Sequence, residues 1–388
     1  MSGAGPAGSI AAHHCSKGGL RTLLIEKEVL PRRKCCAGGV LHRALEKLDY
    51  SVPERLVERE IRGFSIVHGD YRRDFPLGRN AGITVRRQGF DAHLTRMAES
   101  SGAEIMDGAK VMRVRESVDS VEVTVDTTSL HSRALIVAEG AGSRSARQAF
   151  GPLPRKSLAL GLASEISFAG DPGNSLEIHL IETPTKRITW GAEFPLNGWL
   201  FPTRRGANVG VVGKGGDAPT LRRMVRNIAE RAGEMNGGLV GEVEFCASPL
   251  PLVPRRKVCT RRILVAGDAA GFVNQITGEG MTYALESGKL AAEAVLEGLE
   301  AGNPVHFRDY GARCHDRIFP DLNATRLIGP VLHRLVGVVD TDTFFDRFAD
   351  ERRMTDLCLD IARGETRWVT LLMAVLPRFP RLFLSSLA

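Results

Sequence analysis

The chain contains 388 residues, of which 43% are hydrophobic and 25% are charged, and it carries a formal net charge of +7. This composition excludes a disordered chain, a collagen-like fibre and an integral membrane bundle, and the length indicates more than one domain. The positive charge lies in short clusters such as Arg32-Arg33-Lys34 and Arg255-Arg256-Lys257, without interleaved aromatic residues. That pattern favours a phosphorylated ligand or an anionic lipid over nucleic acid.

The chain opens with a G-x-G-x-x-G pattern. Its glycines are Gly3, Gly5 and Gly8. Such glycines permit a tight turn and bring backbone N–H groups against a pyrophosphate at a helix N-terminus. A small-residue helix from Ser9 to Lys17 and an apolar strand from Thr22 to Ile25 follow. Glu26 follows this strand, at the position where an acidic side chain accepts hydrogen bonds from a ribose diol in dinucleotide-binding proteins. These residues together therefore predict a dinucleotide site.

This fingerprint normally follows a strand, yet only Met1 and Ser2 precede Gly3. The first and central strand of the predicted sheet is therefore missing from the sequence. We expect the true start to lie upstream of Met1, because a missing central strand leaves backbone groups of its neighbours unpaired in the core. The alternative is an impaired domain.

Two kinds of pattern follow along the chain. A helix from Phe90 to Ser100 and strands around 111–114, 121–125 and 134–137 continue the first domain. From about residue 156 the pattern changes to period-two strands at Ser175–Leu180 and Ile188–Phe194, broken by turn residues. The second pattern predicts an antiparallel sheet.

A second glycine-rich turn, Gly267-Asp268-Ala269-Ala270-Gly271, follows the buried strand Ile263–Ala266. Thr277-Gly278-Glu279-Gly280 then precedes a long helix that ends near Leu299. An acid such as Asp268 at this place can hold a polyol. We therefore predict an α/β fold with a discontinuous Rossmann-like domain, an inserted antiparallel-sheet substrate domain and a helical C-terminal region. The predicted boundaries are 1–60, 80–155 and 255–300 for the first domain, 61–79 and 156–254 for the second, and 301–388 for the third.

The cysteine pattern and the C-terminal segment bear on location. The cysteines are Cys15, Cys35, Cys36, Cys246, Cys259, Cys314 and Cys358. An odd count without a C-x-x-C pair excludes a disulfide framework and a zinc site, and it favours a reducing cytoplasm.

No apolar run approaches the ~18 residues that span a bilayer. Residues 368–388 combine an apolar stretch with Arg378 and Arg381, which fits either a helix at a membrane surface or one docked on the core.

The two glycine-rich sites and Glu26 together resemble the flavoprotein monooxygenase and reductase superfamily. The resemblance implies FAD, with Asp268 at the ribitol and the helix start at Gly278 and Gly280 facing the flavin. Three further stretches resemble the geranylgeranyl reductase family, which reduces isolated double bonds of isoprenoid chains. These are the basic Cys-Gly-Gly-like stretch 31–39, the W-x-F-P stretch 199–202 and the G-D-A-A-G to T-G-E-G run 267–280.

The same resemblance implies catalytic roles for Cys36, Trp199 and Phe201, and a place for Arg87 near the cofactor. Cys35 is the alternative to Cys36 as the cysteine that faces the site. The sequence departs from the family pattern at three positions. These are Asn197 in place of tyrosine, Glu139 in place of aspartate before Gly140, and Gln275 in place of proline. The departures leave the substrate and the route of nicotinamide access open.

Three functions follow as hypotheses. The first is an FAD-dependent reductase of a geranylgeranyl chain, carried on a diphosphate, lipid, quinone or pigment. The second is an FAD monooxygenase acting on an aromatic or olefinic substrate. The third is a flavin-free lipid-binding protein, suggested by the missing strand and the three departures. NADPH and ferredoxin both remain as electron donors because no second nucleotide fingerprint is present, and the sequence does not predict an oligomeric state.

Overall fold

The computed structural model describes residues 1–154, 157–181, 197–213, 218–302, 307–338, 342–343, 346, 350 and 352–377. The helices are α1 (Pro6–Lys17), α2 (His42–Leu45), α3 (Arg87–Ser100), α4 (Arg144–Phe150), α5 (Ala218–Met235), α6 (Met281–Glu300), α7 (Asp309–Arg317), α8 (Phe319–Val338), α9 (Arg352–Arg363) and α10 (Trp368–Val375). The predicted strand 188–194 and residues 378–388 lie outside the described residues.

The strands fall into several sheets. They are β1 (Leu23–Ile25), β2 (Gly39–Leu41), β3 (Val57–Glu60), β4 (Gly63–His68), β5 (Tyr71–Pro76), β6 (Gly82–Val85), β7 (Glu104–Met106), β8 (Val111–Glu116), β9 (Val121–Val125), β10 (Thr128–Ser132), β11 (Leu135–Val137), β12 (Leu158–Phe168), β13 (Ser175–Leu180), β14 (Asn197–Thr203), β15 (Gly206–Gly213), β16 (Leu239–Val240), β17 (Cys246–Pro251) and β18 (Ile263–Val265).

Short parallel strands form the layer that carries the glycine-rich turns. β1 pairs with β7 and β11 pairs with β18, both in parallel. Ser2 forms parallel bridges to Ile25 on one side and to Val137 on the other. The position between β1 and β11, where a strand precedes a fingerprint of this kind, is therefore occupied by Met1 and Ser2.

Helix α1 packs closely against α6 because small residues line the crossing. A Cβ added at Gly288 of α6 would lie 2.3 Å from the carbonyl oxygen of Ala7. Ala7 and Ala11 of α1 are buried in the same core as the parallel strands. The small residues of α1 therefore allow close packing, which places the N-terminus of this helix against the end of the parallel strands.

A second sheet has eight strands in the order β16-β12-β15-β14-β13-β4-β5, with β17 also paired to β12. Helix α5 covers one face, where Leu221 and Val225 pack with Leu200 and Val209. The prediction of a wholly antiparallel sheet is wrong at one pair, because β13 and β4 are parallel. These two strands come from distant parts of the chain, so no hairpin imposes the antiparallel direction.

A three-stranded sheet in the order β2-β6-β3 contacts the eight-stranded sheet. The hydroxyl of Thr84 on β6 donates a hydrogen bond to the carbonyl oxygen of Pro202 on β14, at 2.7 Å. Arg59 on β3 donates through Nε to the carbonyl oxygen of Thr203, at 3.0 Å. Farther along the chain, α10 packs against α8 through Trp368 and Ala324. Within the described residues, no helix has both the length and the apolarity required to cross a membrane.

Candidate active site

The N-terminus of α1 is built to accept an anion. Its N-cap is Gly5, no side chain caps it, the first turn contains no acidic residue, and Pro6 occupies the first position. Gly3 has φ +96°, and a Cβ there would lie 2.3 Å from the carbonyl oxygen of Ala138. A Cβ at Gly8 would lie 1.9 Å from the carbonyl oxygen of Gly3. Glycine is therefore needed for the turn that aims uncapped N–H groups outward, the arrangement that binds a pyrophosphate.

Glu26 lies beside this turn and is only 4% exposed. Its carboxylate accepts a hydrogen bond from the N–H of Ala4 at 2.9 Å and from that of Glu28 at 3.2 Å. The guanidinium of Arg32 lies 3.3 Å from the same carboxylate. Each carboxylate oxygen can accept two hydrogen bonds, so Glu26 keeps capacity for a ribose hydroxyl.

Arg32 was not predicted as a site residue, yet it contacts two buried acids, Glu26 and Asp91. Its guanidinium lies 3.1 Å from the carboxylate of Asp91 and 3.7 Å from a Cβ placed on Gly5. A positive charge therefore stands next to the anion-binding turn. The signal in the sequence was the basic triplet at 32–34, but its spacing gives no indication of which member turns inward.

Asp91 connects Arg32 to Arg87. Arg87 donates two hydrogen bonds to this carboxylate, from Nε at 2.7 Å and from Nη2 at 2.9 Å. Asp91 is 1% exposed. Burial alone would lower the pKa of Arg87, but Asp91 and the neighbouring Cys36 outweigh it and raise that pKa further above its usual range. Arg87 is thus a permanently charged, fixed donor.

Asp268 occupies a 3-10 turn at Gly267–Ala269, directly after β18. Its Oδ1 lies 3.2 Å from a Cβ placed on Gly280, and the carboxylate makes no hydrogen bond to another described residue. Burial raises its pKa, while the positive charges of Lys34 and Arg87 oppose that rise. A desolvated acceptor without a donor fits a polyol that brings its own hydroxyl groups.

Contacts of Glu279 hold the turn before α6 in place. Gly278 has φ +69°. Glu279 accepts a hydrogen bond from the N–H of Thr282 at 2.7 Å, and its other oxygen binds the buried guanidinium of Arg43. Burial lowers the pKa of Arg43, but Glu279 and Tyr283 more than compensate, and the net shift is upward. This clamp fixes the N-terminus of α6 next to Asp268.

Trp199 and Phe201 share the face of β14 that points away from α5. Trp199 donates from Nε1 to Oδ1 of Asn208 at 2.9 Å, and its ring covers Gly210. Phe201 packs against Gly39, where a Cβ would lie 2.8 Å from the ring. Leu250 extends this apolar surface toward the α6 turn, since its side chain lies 3.5 Å from a Cβ placed on Gly278.

The two adjacent cysteines point in different directions. The thiol of Cys36 interacts with the guanidinium of Arg87, which also acts electrostatically on Asp268. The thiol of Cys35 instead contacts Cys246 on β17. Arg87 therefore lies near Cys36 and Asp268, and Asp268 lies next to Gly280, whereas Cys35 faces the eight-stranded sheet.

Glu139, which stands in place of the expected aspartate before Gly140, binds residues of its own domain. Its carboxylate accepts hydrogen bonds from the hydroxyls of Ser2 at 2.7 Å and Ser143 at 2.8 Å. It also accepts from the N–H of Ser145 at 3.1 Å and binds the hydroxyl of the same residue. These hydrogen bonds engage the carboxylate and hold the start of α4 in place.

The residues present fit FAD. The site contains a glycine turn that any Cβ would fill, a buried acid with spare acceptor capacity and an acceptor without a donor. The diphosphate, ribose and ribitol of this cofactor require groups of these kinds. The predicted residues Gly3, Gly5, Gly8 and Glu26 form one end of this site. Asp268, Gly278 and Gly280 form the other end, and the Arg32–Asp91–Arg87 network lies between the two.

Comparisons with known proteins agree with this fit. The profile of the family described as "FAD dependent oxidoreductase" matches residues 77–294. A chloroplastic geranylgeranyl diphosphate reductase of Arabidopsis thaliana is 28% identical over 332 residues, covering 77% of this chain and 66% of the plant protein. A digeranylgeranylglycerophospholipid reductase of Methanosphaera stadtmanae is 29% identical over 324 residues, 79% of this chain and 78% of that protein.

A menaquinone reductase of Mycobacterium tuberculosis is 31% identical over 317 residues, which cover 75% of this chain and 74% of the menaquinone reductase. Among solved structures, a geranylgeranyl bacteriochlorophyll reductase-like protein of Thermoplasma acidophilum has a TM-score of 0.78 at 21% identity, covering 99% of this chain and 96% of that chain. The flavin-dependent brominase Bmp2 has a TM-score of 0.67 at 19% identity, covering 98% of each chain. These structures show the fold. The protein belongs to the FAD-dependent oxidoreductase family, and it is similar to geranylgeranyl and menaquinone reductases.

Proposed function

We propose that the protein reduces carbon-carbon double bonds of a geranylgeranyl or related isoprenoid chain. The observation that carries this proposal is the apolar surface of Trp199, Phe201 and Leu250, which approaches the α6 turn and the Cys36 loop without a charged group of its own. Two relatives are named for geranylgeranyl substrates, which supports the same chemistry. The proposal assigns the isoprenoid chain to this surface.

The proposal divides the chain at the predicted boundaries. Residues 1–60, 80–155 and 255–300 hold the cofactor, residues 61–79 and 156–254 hold the substrate, and residues 301–388 form a helical region. The pairing of β4 and β5 with β13 supports the assignment of 61–79 to the substrate sheet. Met373 is 67% exposed and Leu376 is 58% exposed, which supports peripheral contact with a lipid surface through the segment from residue 368 onward.

Candidate binding residues can be assigned to three groups of the cofactor. The uncapped start of α1 and Arg32 bind the diphosphate, Glu26 binds the ribose and Asp268 binds the ribitol. When bound and reduced, FAD supplies a hydride to one alkene carbon. The partial positive charge at the start of α6 favours negative charge nearby, and the clamp between Glu279 and Arg43 keeps that helix end in place.

Reduction of an alkene also requires a proton at the second carbon. Cys36 is the proposed proton donor, and Arg87 orients its sulfur and stabilises the thiolate that remains. Trp199 and Phe201 exclude water and align the chain. NADPH or ferredoxin then supplies the electrons for the next turnover.

The decisive test is anaerobic. Protein reconstituted with FAD is reduced with dithionite and mixed with geranylgeranyl diphosphate, while flavin reoxidation and product mass are followed. A gain of two hydrogens per reoxidised flavin is the expected result. Flavin that stays reduced until oxygen is admitted would favour a monooxygenase instead, and protein that binds no flavin would favour a lipid-binding role.

Glu26→Gln is expected to weaken FAD binding by roughly 10–100-fold, because the amide loses the charge-assisted acceptor for ribose and for the N–H of Ala4. Equilibrium dialysis of FAD measures the change. Glu28→Gln is the matched control, since Glu28 is exposed and, among the residues that the structure describes, its carboxylate pairs only with the exposed Lys27, at 3.6 Å. Equal losses in both variants would contradict the assignment.

Asp268→Asn is expected to stabilise the FAD-free protein at pH 7 and to weaken FAD binding. Since burial raises the pKa of this carboxyl in the folded state, its protonated form favours folding. That contribution is complete below the ordinary carboxyl pKa and is lost as the pH rises through the raised value. The gain in Tm over the wild type should therefore disappear at low pH. Asp119→Asn, at an exposed position, should change neither Tm nor FAD affinity.

A further inference from the structure

Consecutive residues of the loop 31–39 contact strand β17 and the residues just before it. The guanidinium of Arg33 lies 3.9 Å from the carboxylate of Glu244. Lys34 donates from Nζ to the hydroxyl of Ser248 at 3.0 Å. On β17, two residues before Ser248, the thiol of Cys246 interacts with the thiol of Cys35, the residue after Lys34. Polar contacts at three neighbouring positions therefore hold the two cysteines side by side.

The two thiols are chemically unequal. Both are free, Cys246 is exposed and Cys35 is half-buried. Interaction with the Cys35 thiol lowers the pKa of Cys246 against the opposing effects of burial and Glu165, and Lys34 adds a smaller lowering. Interaction with Cys246 and burial raise the pKa of Cys35. The accessible sulfur is thus the better nucleophile, and its partner keeps a proton.

We propose that Cys35 and Cys246 form an oxidisable dithiol site that reacts with a hydroperoxide and closes to a disulfide. The Cys246 thiolate attacks the peroxide O–O bond, which gives a sulfenic acid on Cys246 and releases water or an alcohol after proton uptake. The Cys35 sulfur then attacks the Cys246 sulfur, so that an S–S bond forms and a second water leaves. The two cysteines lose two electrons and two protons in total, and the peroxide is reduced.

The disulfide would act on the cofactor site through the loop. Both thiols are free, so an S–S bond brings the sulfurs closer together and draws the loop 31–39 toward β17. That loop also carries Arg32, which binds Glu26 and Asp91, and Cys36, which contacts Arg87. We therefore expect the oxidised form to release FAD faster than the reduced form does. This inference concerns the dithiol itself and does not rest on the proposed substrate.

The test uses the FAD-loaded full chain treated with hydrogen peroxide, then alkylated and mapped by mass spectrometry without reduction. The expected product is one crosslinked peptide pair joining Cys35 to Cys246, lighter by two hydrogens, which a small dithiol converts back. Cys246→Ser and Cys35→Ser should each abolish that pair. Cys259→Ser, at a half-buried cysteine elsewhere, should leave it intact. FAD release, followed by flavin fluorescence, should quicken on oxidation in the wild type and not in Cys246→Ser.

Two outcomes would overturn the proposal. One is oxidation of Cys246 alone to a sulfinic acid while Cys35 still reacts with the alkylating agent. The other is a disulfide that joins a different pair of cysteines. Because the wild-type protein alone reports the crosslink and its reversal, the result holds even if a serine variant folds poorly.

Discussion

Cys36→Ala is expected to slow alkene reduction by roughly 10²–10⁴-fold while FAD stays bound, because the alkene then lacks its positioned proton donor. The thiol contacts the Arg87 guanidinium, and Arg87 and Lys34 act electrostatically on Asp268, so Cys36 lies among the groups proposed to hold the cofactor. Anaerobic stopped-flow measurement of flavin reoxidation by geranylgeranyl diphosphate gives the rate. Titration with FAD checks that affinity is retained.

Cys35→Ala is the matched control, measured with a reducing agent present. Its thiol contacts Cys246 and not Arg87, so its removal should leave the rate within about twofold, the scatter expected of a change away from the reacting atoms. Cys36→Ser should keep the orientation but transfer the proton more slowly, since a hydroxyl is a weaker acid than a thiol. A large loss in Cys35→Ala together with normal rates in Cys36→Ala would assign the proton to the other cysteine.

The parts of this site that the sequence predicted are those that local backbone geometry requires. A turn against Ala138 accepts only glycine at Gly3, and an acid at the end of β1 lies next to that turn whatever surrounds it. Local patterns of this kind predict candidate phosphate, ribose and ribitol positions without knowledge of the rest of the fold. FAD was therefore predictable, and the family comparison agrees.

The missed features depend on contacts between distant segments. Nothing in the spacing of Arg32, Arg33 and Lys34 tells that only the first turns toward Glu26, because a loop has no periodicity to assign side chains to faces. The directions of Cys35 and Cys36 were left open for the same reason. Likewise, the parallel pairing of β13 with β4 joins segments far apart in the chain.

Arg87→Leu is expected to destabilise the FAD-free protein by about 3 kcal/mol, the lower end of the cost of breaking a buried ion pair. The side chain of Arg87 is 10% exposed and that of Asp91 is 1% exposed, so removal of the guanidinium leaves a buried carboxylate. Arg32 remains 3.1 Å from Asp91 and limits the loss. Urea denaturation measures the free energy of unfolding.

Arg86→Leu is the matched control on the adjacent residue. Arg86 is 57% exposed and lies 3.3 Å from Glu58 and 3.6 Å from Glu165, so its loss should cost less than about 1 kcal/mol. The double variant Arg87→Leu with Asp91→Leu should recover part of the lost stability, because Arg32 then still pairs with Glu26 and no carboxylate is left buried alone. Strictly additive losses in the double variant would mean that Arg87 stabilises the fold by packing and not by neutralising Asp91.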